Sequence, residues 1–135
     1  MNKFVEISNG TIYRADAIVA ISPQVAIQTD RLYGHPIIEV VAYMGEKLEE
    51  RRLVHHRLPK RMPSSAQLKI DRQHIKMTQA IATWVFSETS NNCLQIEQES
   101  DFITLTAGQA DWATPGDLGV PEGVSIFDLR TEKDK

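Results

Sequence analysis

Eight of the fifteen lysines and arginines in this 135-residue chain fall between positions 51 and 76: Arg51, Arg52, Arg57, Lys60, Arg61, Lys69, Arg72 and Lys76. One acid, Asp71, lies among them, while the whole chain carries a formal charge of −3. A weakly acidic protein that gathers its cations into one segment makes a local positive potential for phosphates, carboxylates or an acidic protein face. The densest part is 51–61. Its candidate ligand-binding residues are Arg57 and Arg61 first, with Arg51, Arg52 and Lys60 in support. Arginine offers a planar fork that matches phosphate oxygens, and lysine acts as a point charge. Pro59 and Pro63 bracket an irregular loop in which such side chains can converge. The plainer reading is a solvated face paired with the acidic end of the same chain. Long duplex DNA fits poorly, because DNA-binding domains are typically basic overall. No helix-turn-helix, zinc-finger or single-strand stacking signature is present.

Other reactive residue types carry weaker patterns. His55 and His56 are adjacent, so on a strand they point to opposite faces and cannot chelate one metal together. Neighbouring arginines disfavour their charged form. With His35 and His74 they follow no metal-ligand spacing, and Cys93 is the sole cysteine, so no metal site and no internal disulfide is expected. His74 falls within an apolar helical stripe and reads as a packing residue. Cys93 reads as a buried, inert thiol. Ser64-Ser65 are turn or capping residues, and Gly-x-Ser-x-Gly is absent. Gly116-Asp117-Leu118-Gly119 is not followed by Lys-Ser/Thr, so no phosphate-cradling loop is recognised. No cofactor is implied.

These residues need elements to position them. Phe4–Ser8 and Thr11–Arg14 flank Asn9-Gly10, the signal of a two-residue type I′ hairpin. That turn pairs Ile7 with Ile12 and Val5 with Arg14. A third strand over 17–22 ends at Pro23, and 25–27 forms a short fourth. Residues 29–36 read as a loop, and 37–44, β-branched and apolar, as a strand covered on both faces. Residues 46–58 are open between strand and helix, with a hairpin partner strand over 50–57 favoured. Ile70, His74, Met77, Ile81, Trp84 and Val85 fall at helical spacing, which predicts one amphipathic helix over about 71–88 with Asp71 as its N-cap. Strands over 94–97 and 102–105 form a hairpin around residues 99–101, and 124–129 make a last strand.

The fold class is therefore α+β: an antiparallel sheet with an Asn-Gly hairpin and one main helix packed on it. Residues 1–107 form the core domain. Residues 108–135 form a loop-rich acidic extension, with Trp112, Leu118 and Val120 as anchors that dock on the same or a neighbouring subunit. A homo-oligomer through residues 108–123 follows from that docking. No apolar run approaches the roughly 18–20 residues of a membrane span, and the chain reads as soluble and cytoplasmic. The favoured function is non-enzymatic: holding a nucleotide or short nucleic acid through 51–61, with Tyr43 or Tyr33 as a stacking ring. One alternative is a protein–protein module, an inhibitor or assembly subunit whose basic segment meets an acidic partner. Another is a small histidine-dependent hydrolase.

Overall fold

In the computed structural model, residues 3–29, 34–88, 91–110 and 121–131 are described. Among the described residues, eight strands and one long helix build an α+β fold. They are β1 (Phe4–Glu6), β2 (Ile12–Arg14), β3 (Ile18–Thr29), β4 (Gly34–Met44), β5 (Glu49–Arg57), α1 (Ser64–Phe86), β6 (Cys93–Glu99), β7 (Phe102–Gly108) and β8 (Pro121–Asp128). A single 3-10 turn, Ala15–Ala17, links β2 to β3. The strands form two sheets, β2-β1-β6-β7-β8 and β3-β4-β5. All pairings are antiparallel except β1 with β6.

One core joins the three parts. Val5, Leu94, Ile96, Ile103, Leu105 and Phe127 come from the larger sheet. Ile38, Val40, Ala42, Leu53 and Val54 come from the smaller, and Ile70, Met77, Ile81, Trp84 and Val85 from α1. Burial of such apolar area, at roughly 25 cal/mol per Å², is what holds two sheets that share few strand contacts. β8 pairs with β7 along its length, and Phe127 and Leu129 belong to the core. Trp112, Leu118, Val120 and Tyr33 lie outside the described residues.

Four boundaries differ from the sequence reading. The Asn-Gly hairpin closes with three loop residues rather than two. Ile7 N–H donates to the Thr11 carbonyl at 3.0 Å and Gly10 takes φ +87°. Val5 therefore pairs with Tyr13 and Glu6 with Ile12. This one-residue slip turns Tyr13 towards the core and Ile12 outwards. β3 runs straight through Pro23, which faces Val40. β3 is a sheet edge, where a missing N–H is tolerated. β4 begins at Gly34, inside the expected loop. The helix starts at Ser64, not Asp71, and Pro63 precedes it without a side-chain cap. Its first two turns bury no side chain until Ile70, so no apolar stripe announced them; Asp71 is an exposed interior residue.

Candidate functional site

The site is built on the face of β3-β4-β5 that points away from α1. Directly paired residues share a face. The register therefore sets rows across the sheet from β3 to β5: Ala26–Ile37–Arg57, Gln24–Glu39–His55, Ser22–Val41–Arg52 and Ala20–Tyr43–Glu50. The opposite face carries Ile38, Val40 and Ala42 into the core. A bulge in β5 is decisive. Val40 faces Val54 but Val41 faces Arg52, leaving Leu53 as the extra residue. Both Leu53 and Val54 are buried as a result. Without the bulge, strict alternation would put Arg52 on the core face with Val54; the extra residue re-aims it outwards.

Glu39 organises this face. It is 7% exposed, and its Oε2 accepts a hydrogen bond from His55 Nδ1 at 2.8 Å and forms an ion pair with Arg52, whose Nε also lies at 2.8 Å. Two donors each 2.8 Å from one oxygen lie no more than 5.6 Å apart. A carboxylate only accepts, so His55 Nδ1 carries a proton, and in the neutral imidazole Nε2 is then the acceptor. The Arg52 and His55 side chains remain 67% and 47% exposed. Both side chains thus keep surface in solvent while one nitrogen of each is held at Glu39. A buried carboxylate is tolerable here because it is paired and hydrogen-bonded.

Neighbours stiffen the arrangement. The side-chain amide of Gln98, on β6, accepts from His55 N–H at 3.1 Å and donates to His55 C=O at 2.9 Å. It imitates a neighbouring strand at the β5 edge and ties the two sheets. Gln24 Nε2 donates to Ser22 Oγ at 3.0 Å and to the Tyr43 hydroxyl at 3.4 Å, so the tyrosine reaches across the sheet towards β3. From the other side of the sheet, buried His74 donates through Nε2 to the Glu39 carbonyl at 2.7 Å.

The five basic residues singled out from sequence are divided by the fold. Arg52 and Arg57 lie on the outer face, opposite Val41 and Ile37. Four residues of β4 separate those positions, about 13 Å of strand. Arg51 faces Ala42 on the other side and pairs with Glu49 at 2.8 Å. Lys60 and Arg61 are exposed in the loop between β5 and α1. His55 and His56 point to opposite faces, His56 being buried. Burial pushes the His56 imidazole down, against the opposing pull of Asp101. Cys93 is buried, and that burial, with the Glu6 carboxylate, raises its thiol to about 11.

Glu39, Gln98 and Gln24 were not foreseen as site residues. The signal for Glu39 was present: it is the sole charge in the run Ile37–Met44. Two grooves open elsewhere. One, of about 380 Å³, runs over Glu6, Ser8, Gln95 and Glu97; the other, of about 500 Å³, lies over Tyr13, Met44, Lys47 and Arg51. Among the described residues no group of three or more His, Cys, Asp or Glu could hold a metal ion. No helix among them is long and apolar enough to cross a membrane. Comparison of the chain with family models, with curated proteins and with solved structures finds no match.

Proposed function

We propose that this protein is a non-enzymatic binder of a phosphate-bearing ligand, a nucleotide or short single-stranded nucleic acid, on the outer face of β3-β4-β5. The observation that carries the reading is the shared Glu39 oxygen, which holds Arg52 and His55 side by side while both side chains stay partly exposed. A guanidinium whose Nε is already held has less rotamer entropy to lose when its terminal N–H groups grip phosphate. Arg57 supplies a second cation on the same face, and Tyr43 a ring against which a base can stack. Arg51, Lys60 and Arg61 would act at longer range, through potential rather than contact.

Fluorescence anisotropy with a labelled six-nucleotide RNA tests the reading. The Arg52→Gln/Arg57→Ala pair should weaken binding by at least tenfold, since a charge-assisted hydrogen bond contributes roughly 1.5–3 kcal/mol. Affinity should also fall as salt rises, exposed charges being screened over about 8 Å at physiological ionic strength. Unchanged affinity in the double variant, with its melting curve intact, would sink the assignment.

A second reading has its own observation. Leu68, Ile75 and Phe86 are each more than half exposed along α1, with Arg72 and Lys76 beside them. That face suits an acidic partner protein with apolar anchors.

A further inference from the structure

We propose that the ligand of the outer face carries a hydroxyl next to its phosphate, as a ribonucleotide does, and that His55 is the residue that reads it. The inference rests on the phosphate-binding reading above and adds the ligand class. Arg52 and Arg57 offer only donors. His55 differs, because Glu39 takes its Nδ1–H at 2.8 Å and, in the neutral imidazole, Nε2 is then an acceptor. Among the described residues no other hydrogen bond engages that ring. Its position is set twice, at the ring by Glu39 and at the backbone by the two bonds from Gln98. The face therefore presents an acceptor on a ring whose anchored Nδ1 lies within 5.6 Å of the anchored Nε of a guanidinium.

A ligand that satisfies both groups needs anionic oxygens for Arg52 and a hydrogen-bond donor close beside them. Ribose has this combination on neighbouring carbons, a 2′-hydroxyl next to the 3′-phosphate. The 2′-hydroxyl is the group by which a protein distinguishes RNA from DNA at a given position. A deoxyribose would cover Nε2 and leave it without a donor. Sites made to hydrogen-bond a hydroxyl discriminate strongly against analogues that lack it, since the polar group is stranded on binding.

The experiment compares three oligonucleotides of one sequence, ribo, deoxy and 2′-O-methyl, each six nucleotides long, by anisotropy on the intact protein. The 2′-O-methyl form keeps the oxygen but removes the donor, so the test needs no variant that must fold. The ribo form should bind at least tenfold more tightly than both others. In His55→Ala that ratio should fall to near one through loss of ribo affinity, while Arg52→Gln weakens all three. Equal binding of the three by the wild type, with Arg52→Gln still weakening it, overturns the hydroxyl inference and leaves the phosphate reading standing. A preference that persists in His55→Ala overturns the role of His55. Absence of binding by every form overturns both.

Discussion

Glu39 shows how one residue can organise a surface it does not itself present. Its carboxylate lies under the outer face, its carbonyl receives a bond from the helix through His74, and Arg52 and His55 are oriented by one of its oxygens. Lys3 plays a comparable part at the other end of α1. Its ammonium donates to the carbonyls of Trp84, Val85 and Ser87 and sits 4.3 Å from the Trp84 ring centroid. Those of Trp84 and Val85 are among the last carbonyls of the helix, which have no partner within it, and Ser87 follows directly at its negative end. Burial lowers the lysine pKa, yet a cation is the group this position favours. Lys3→Met should therefore cost about 1–2 kcal/mol in urea unfolding, with Lys3→Arg recovering part of it. A Lys3→Met protein with the wild-type midpoint would show that the contact contributes nothing. Cys93 allows a simpler check. With its thiol raised to about 11 by burial, it should react with a disulfide reagent at pH 8 only as fast as the protein opens. Rapid labelling of the folded chain would contradict its placement in β6.

At the scale of elements, the sequence was legible wherever periodicity met the core. β5 was foreseen as the hairpin partner of β4 and the β6–β7 hairpin was found at its turn. Ile70, Met77, Ile81 and Trp84 marked the buried stripe of α1. Legibility failed where solvent removes the pattern, as in the first two turns of α1. It failed again where a single residue shifts the register. The bulge at Leu53 and the third loop residue in the β1–β2 hairpin each reverse which side chains face inwards. Neither follows from composition, because both depend on which alternative buries more apolar surface once the sheets meet. Arg52 reaches the outer face only through such a shift, so the division of Arg51 from Arg52 could not be read from their adjacency. The β4–β5 turn carries a local conflict of its own. Leu48 sits at φ +52° and is half exposed. A leucine gains less there from packing than a buried one would and bears the steric cost of left-handed backbone. Leu48→Gly should stabilise the domain by about 0.5–1 kcal/mol, seen as a higher melting temperature without change in the spectrum of the fold. A lower melting temperature would mean that the leucine packs in a way its exposure conceals.

At the scale of the whole molecule, two titratable groups lie where the sheets and the helix meet, and both act in the same direction. His56 faces Ile38 on the inner side of the smaller sheet. Its burial lowers the pKa from 6.5, Asp101 at 3.8 Å pulls the other way, and His55 adds to the lowering. Asp128, at the end of β8, is held well below the ordinary carboxylate range, first by hydrogen bonds from Arg130 and also by Lys69 at 3.2 Å. In each case the folded pKa lies below the unfolded one. The unfolded chain then binds more protons in the interval between them, and stability rises with pH across it. The contribution is present above the unfolded value and is lost as pH falls towards the folded one. The two intervals are separate: His56 acts as pH drops through and below 6.5, Asp128 only as it drops below 3.8. Urea midpoints measured from pH 8 down to pH 3 should therefore fall in two stages. His56→Gln should flatten the first stage and leave the second. Asp128→Asn should leave the first stage in place and remove the second. A wild-type midpoint that holds constant from pH 7 to pH 5, or a first stage that survives in His56→Gln, would mean that His56 accepts its proton in the folded chain as readily as in the unfolded one. The meeting of β5 with β6 and β7 around it would then be open to water, and the single core shared by the two sheets would end short of Asp101.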